Sequence, residues 1–242
     1  MFIDFVYFFF AYGLIFVFGL FVGSFLNVVA DRSVKGVSFV KGRSRCENCK
    51  KTLQPHDLIP LLSFILSRGK CRYCGEKLSF WYPLSEYITG CVFVGVSVYT
   101  GFVGYDLSHW LGFLYLLIVA CFYIVIFLTD AKYRLIPHKI VVPAIVFVFV
   151  SNLGYTLYYL YSSYTQLTGD TFGKYLVKAG YYGSLATHSI NGFLVTLAGA
   201  LGIGLFFWFL VFITRGRGMG GGDITLGFLI GLVNGFPKSV LA

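Results

Sequence analysis

Two groups of residues in this chain have the types and spacing that chemistry requires. The first is Cys46-Glu47-Asn48-Cys49 together with Cys71-Arg72-Tyr73-Cys74, two Cys-x-x-Cys pairs with 21 residues between them. Four thiolates spaced in this way can enclose one tetrahedral Zn²⁺. An all-cysteine site leaves no open position for a reacting water, so such a metal would be structural. Arg43, Arg45, Lys50 and Lys51 stand beside the first pair, where they offset the charge of a zinc–tetrathiolate centre, and Gly75 provides a tight turn after the second. Disulfides are the competing use of four cysteines, and a reducing compartment disfavours them. Cys91 and Cys121 lie in apolar runs and read as packing residues.

The second group is acidic. Asp223 follows Gly218, Gly220, Gly221 and Gly222 in a break between apolar segments, and Asp130 closes an earlier apolar segment. A carboxylate at the edge of a membrane segment is costly to desolvate unless it is paired or solvated, which makes both acids functional candidates. The glycines permit positive-φ turns and close approach by another chain; capping the next helix is the plainer use of Asp223. If the fold joins the two acids, one can activate a water while the other polarises a carbonyl, as aspartic peptide hydrolysis requires. Their pKa values would then separate, because the first charge opposes the second. Glu86 reads first as a polar anchor and second as a substrate contact. His56, His109, His138 and His188 form no i, i+4 pair, so a histidine metal site is unsupported. Residues 216–221 fit G-x-G-x-x-G without the strand that a dinucleotide site needs.

These residues need a scaffold, and composition indicates which kind. Of 242 residues, 57% are hydrophobic and only 12% charged, with mean hydropathy +0.79. A soluble domain carries roughly twice that charged fraction, so the expectation is an all-α polytopic membrane protein. Apolar spans cover residues 5–29, 82–99, 107–129, 140–161, 190–213 and 224–236, giving about six membrane helices or more. The first is long enough for a core of ~30 Å and has no basic residue before it, so it reads as a retained helix, not a removed signal peptide. The last is short and meets Pro237 and Lys238, after which residues 239–242 resemble the start of another span; the C-terminus therefore reads as incomplete.

Residues 31–80 hold four of the six cysteines and 11 of the 19 Lys and Arg. With that loop inside, 16 basic residues face the cytoplasm against 3 outside, which places the N-terminus outside. Asp130 and Asp223 then fall at the cytoplasmic face at similar depth. The net charge of +9 does not imply nucleic acid, because the bases flank apolar spans that the lipid bilayer surrounds. Three domains are expected: a first transmembrane helix over 1–30, a cytoplasmic four-cysteine zinc knuckle over 31–80, and a transmembrane catalytic domain over 81–242. Residues 162–187 read as a polar outer loop, and no internal repeat is evident. A secondary transporter also uses interrupted helices with acids, and a zinc knuckle also suits a non-catalytic membrane scaffold. Acids at one face instead of the midplane favour hydrolysis over transport.

Several stretches carry a resemblance to a known family. Gly23-Ser24-Phe25-Leu26-Asn27-Val28-Val29, the double Cys-x-x-Cys, Asp57-Leu58-Ile59-Pro60-Leu61-Leu62-Ser63-Phe64, Tyr82-Pro83-Leu84-Ser85-Glu86, residues 130–137 and Gly218-Met219-Gly220-Gly221-Gly222-Asp223 together resemble the type IV prepilin leader peptidases, GxGD-type intramembrane aspartic peptidases. The resemblance implies Asp130 and Asp223 as the catalytic pair, with Gly220 and Gly222 as motif glycines that bind substrate. It implies prepilin or pseudopilin substrates, cut after a glycine at the cytoplasmic side of the bacterial inner membrane, and in many members N-methylation of the new terminus from S-adenosylmethionine. The family associates methyl transfer with the 31–80 domain. Departures are Glu47 and Asn48 in the first knuckle, Gln54-Pro55-His56 before Asp57, and Thr225 where lysine is usual. Oligomeric state is left open.

Overall fold

Backbone groups in lipid must find their hydrogen bonds within the chain, and helices do so locally. The computed structural model describes residues 2–38, 41–101, 107–215 and 220–235. Among them the chain forms eight α-helices and no named strand: α1 (Phe2–Val34), α2 (Leu62–Leu66), α3 (Trp81–Thr100), α4 (Leu107–Tyr133), α5 (His138–Gly169), α6 (Thr171–Lys178), α7 (Tyr181–Ile213) and α8 (Gly221–Asn234). Arg217, Gly218 and Met219 of the glycine run, and the chain from Phe236 onward, lie outside the described residues.

Among the described residues, four helices are long and apolar enough to cross a membrane: Phe9–Val34, Trp110–Tyr133, His138–Gly169 and Tyr181–Ile213. The other two expected spans are helical but differ in kind. α3 has 20 residues, enough for ~30 Å at ~1.5 Å per residue, yet Ser85, Glu86, Thr89 and Ser97 lower its hydropathy, and all four are buried. α8 has only 14 residues. The outer loop expected over 162–187 is instead mostly helical, since α5 continues to Gly169 and α6 and α7 follow. Its polar residues do not break the helix because their hydroxyls bond back along it, Thr165 to the Ser162 carbonyl and Thr168 to that of Tyr164, both at 2.9 Å. Asp170 then caps α6 by accepting the Gly173 amide.

The chain divides into two compact units, Met1–Pro137 and His138–Ala242. In the first, α1 and α3 meet almost backbone to backbone. A Cβ at Gly23 would lie 2.9 Å from the Glu86 Cα and from the Thr89 side chain, so only glycine permits the approach. Beside it, Asn27 donates to the Ser85 hydroxyl at 2.7 Å and to the Gly23 carbonyl at 3.2 Å. Phe93 of α3 and Phe113 and Leu117 of α4 form a buried cluster into which Cys121 packs; Cys91, expected to pack, is exposed on α3. In the second unit α8 is held by α5 and α7. A side chain at Gly231 would collide with the backbone of Ala200, and Asn152 of α5 donates to the Leu232 carbonyl at 3.0 Å.

Candidate active site and metal knuckle

The two Cys-x-x-Cys pairs form equivalent turns. The Cys46 amide donates to the Lys51 carbonyl and the Lys50 amide to that of Cys46; the Cys71 amide donates to Glu76 and the Gly75 amide to Cys71. Each turn is closed by one antiparallel bridge, Arg45 with Thr52 and Lys70 with Lys77. The chain thus contains a backbone repeat, which the sequence hides because the two turns share little beyond their cysteines. Equivalent positions take a left-handed conformation, φ 72° at Gly75 and 58° at Lys50, so the first turn accepts a strain that glycine spares the second.

All four thiol sulfurs lie within 4.8 Å of one another. A tetrahedral Zn²⁺ with bonds of ~2.3 Å sets its sulfurs roughly 3.8 Å apart, and the Cys46 and Cys74 sulfurs are 3.9 Å apart. Cys46, Cys49, Cys71 and Cys74 therefore form a cluster that could hold one metal ion. The Cys49 amide holds the Cys46 thiol down to about 7; burial opposes this and the Asn48 amide adds to it, so one of the four thiols is poised to ionise.

Between the knuckles, Asp57 is the hub. It accepts the Gln54 amide at 3.0 Å and the Tyr73 phenol at 2.8 Å, while His56 and Arg72 approach its other oxygen at 3.3 and 3.4 Å. Its carboxylate is thus committed to the loop. Glu86, the anchor expected from sequence, is 8% exposed and accepts the Leu61 amide at 2.9 Å, tying the loop to α3.

A further cluster escaped the sequence reading. Asp31, at the end of α1, accepts Lys132 and Tyr133 of α4, each at 3.1 Å, and Tyr82 of α3, also at 3.1 Å. Lys132 lies 4.3 Å above the Tyr82 ring. In the sequence Asp31 is merely the first polar residue after a span, and nothing marks a partner 101 positions away. The cluster fixes the rotation of the last turn of α4. Asp130 is two residues before Lys132, roughly 200° around the helix, and it is exposed.

Asp223 belongs to the second unit. It is the third residue of α8, not its N-cap; Gly220 holds that place, and the Asp223 carboxylate accepts the Gly220 amide at 2.9 Å. A carboxylate here is favoured by the helix dipole and satisfies an otherwise unpaired amide. Gly220, with φ −87°, uses no left-handed freedom. Among the described residues, nothing lies within 4 Å of the space a side chain would take at Gly221. Gly222 instead turns its carbonyl to the Thr225 hydroxyl, 2.8 Å away.

Residues 117–242, which include both acids, match the Type IV leader peptidase family, and residues 17–100, which include the knuckle, match the Bacterial Peptidase A24 N-terminal domain. The chain belongs to the type IV leader peptidase family. Among its relatives is the prepilin leader peptidase/N-methyltransferase of Bacillus subtilis, 33% identical over 92% of this chain and 73% of that protein. The enzymes of the same name from Neisseria gonorrhoeae and Myxococcus xanthus are 30% identical over 67% of this chain and 68% of the relative, and 40% identical over 40% and 34%. No solved structure matches the chain. Membership makes this chain a membrane-embedded peptidase, with N-methyltransferase activity implied by the names its relatives carry.

Proposed function

We propose that this chain is an intramembrane aspartic endopeptidase that removes the basic leader from type IV prepilins and pseudopilins and methylates the amino group so released. The observation that carries the reading is the placement of Asp130 in the last turn of α4 and Asp223 in the first turn of α8, both inside the segment that matches the leader peptidase family. Helix ends bring acids to the membrane edge, where water can reach them.

In this mechanism the pair shares one proton. The ionised aspartate takes a proton from water as its oxygen attacks the scissile carbonyl, and the protonated one donates to the carbonyl oxygen; collapse returns a proton to the leaving amine. Gly220 and Gly222 belong to the substrate cleft, with Gly221 between them. A prepilin's apolar helix partitions into lipid and holds its cleavage site at the membrane surface, which raises effective concentration there. The leader cannot be read by Asp57, whose carboxylate the loop already occupies. The distribution of basic residues supports a site at the cytoplasmic face of the inner membrane. The knuckle would hold a structural Zn²⁺ through its four cysteines, and S-adenosylmethionine would supply the methyl group.

Mass spectrometry of a co-expressed prepilin tests this reading. The expected product has lost its leader and gained one methyl group; an unprocessed prepilin beside correctly inserted enzyme would refute the proposal.

A further inference from the structure

Between Asp57 and Arg68 the knuckle loop carries no charge, and its apolar side chains do not all find cover in the fold. Ile65 and Leu66 on α2 are 68% and 66% exposed, and Leu62 and Phe80, the latter just before α3, are exposed as well. Phe64 joins the two parts, its ring 6.2 Å from that of Phe80 in an edge-on contact. Apolar surface gathered in one place marks an interaction site.

The depth of this surface identifies its partner. α1 and α3 run antiparallel, with Gly19 packed on Gly90 and Gly23 on Glu86. Asp31 is the first charge after the apolar run of α1, and Gly23 lies roughly 12 Å before it along the helix. Glu86 is therefore at membrane depth, and the Leu61 amide donates to it at 2.9 Å. The chain must descend from the first Cys-x-x-Cys turn to the level of Glu86, pass through α2 and climb back to the second. Around that level α1 exposes Phe21 and Phe25, and α3 exposes Tyr87 and Ile88, so the α2 surface stands level with side chains that already face lipid. Backbone in lipid also needs its polar groups satisfied. The amides of Ser63 and Ile65 donate to the Ile59 and Leu61 carbonyls, and those of Ser67 and Gly69 to the carbonyls of Ser63 and Phe64.

We infer that residues 58–67 form a re-entrant segment that seats Leu62, Ile65 and Leu66 among the acyl chains of the bilayer and returns to headgroup level at Arg68. Arg68 and Lys70 are exposed and stand where lipid phosphates can meet them, their apolar stems still in the boundary layer. The segment adds no span, because it enters and leaves on one side. One Cys-x-x-Cys turn precedes it and the other follows, so both turns are held against the membrane surface by the same anchor.

Photocrosslinking tests the seat. A benzophenone amino acid replaces Ile65 in the full chain, reconstituted into nanodiscs of phosphatidylcholine and phosphatidylglycerol, and mass spectrometry identifies what it captures. The same replacement at Glu76, exposed on the second Cys-x-x-Cys turn, is the reference. Lipid adducts from position 65 should exceed those from position 76 by on the order of tenfold or more, as for a side chain within the acyl boundary against one in water. Leu66 carries the replacement if the variant at Ile65 lacks a sharp thermal transition. Lipid adducts no more abundant than at the reference position would overturn the inference. So would capture of a second copy of the chain in nanodiscs holding two, or of a co-expressed prepilin in native membranes, in place of lipid.

Discussion

Asp57 shows how much one carboxylate can organise when several donors converge on it. Burial by itself would raise its pKa, but the Gln54 amide and the Tyr73 phenol, with His56 and Arg72 nearby, outweigh burial and hold it below the usual aspartate value. Because the folded pKa is the lower one, this stabilisation is present above the unfolded value of ~3.9 and is lost as pH falls through the folded value. Tyr73→Phe removes one donor to the charged form. A carboxyl NMR titration should find Asp57 titrating higher in that variant than in the wild type; an unchanged midpoint would show that the phenol contributes nothing. The cysteines allow a sharper test. Cys46→Ser or Cys71→Ser should reduce bound zinc from one per chain to near none and loosen the loop, since structural zinc and folding are coupled; full metal content in either variant, read by atomic absorption, would exclude a four-cysteine site. The cysteine cluster was legible in the sequence because the spacing within each pair is local. The roles of Asp57 and Asp31 were not, since both depend on partners that only the fold supplies.

At the scale of elements, helices are readable from apolar runs, but what fastens them together is small or polar and leaves little trace. Gly23 separates α1 from α3 by no more than a hydrogen atom. Gly23→Val should cost about 1–3 kcal/mol through overpacking, seen as a lowered thermal midpoint; an unchanged midpoint would mean the two helices do not approach as closely as 2.9 Å implies. The Asp31 cluster ties α1, α3 and α4. Asp31→Asn and Lys132→Met, each leaving a part-buried charge unpaired, should destabilise by about 2 kcal/mol or more, while the double variant recovers part of the loss. Strict additivity in thermal or denaturant melts would deny the coupling. The polar stretch 162–187 reads as a loop because hydroxyls suggest solvent, yet in a helix the same groups bond to carbonyls one turn back. Likewise α3 falls short as an apolar span because its polar residues face its neighbours.

For the molecule as a whole, two matching segments, one with the knuckle and one with both acids, describe a peptidase with an attached four-cysteine domain. Membership in the family and its all-helical architecture were legible in the sequence, because the motifs combine local spacings that lie far apart along the chain. In the proposed mechanism Asp130 and Asp223 act as one catalytic pair. It is tested most directly by the rate of prepilin leader removal in Asp130→Asn, Asp223→Asn and the double variant, each confirmed as inserted and metal-loaded. Each single change should lower the rate by at least about 100-fold, and the double variant should be no slower than the worse single one, as for groups that work as a unit. Leader removal at the wild-type rate in either single variant would show that the two aspartates are not a catalytic pair.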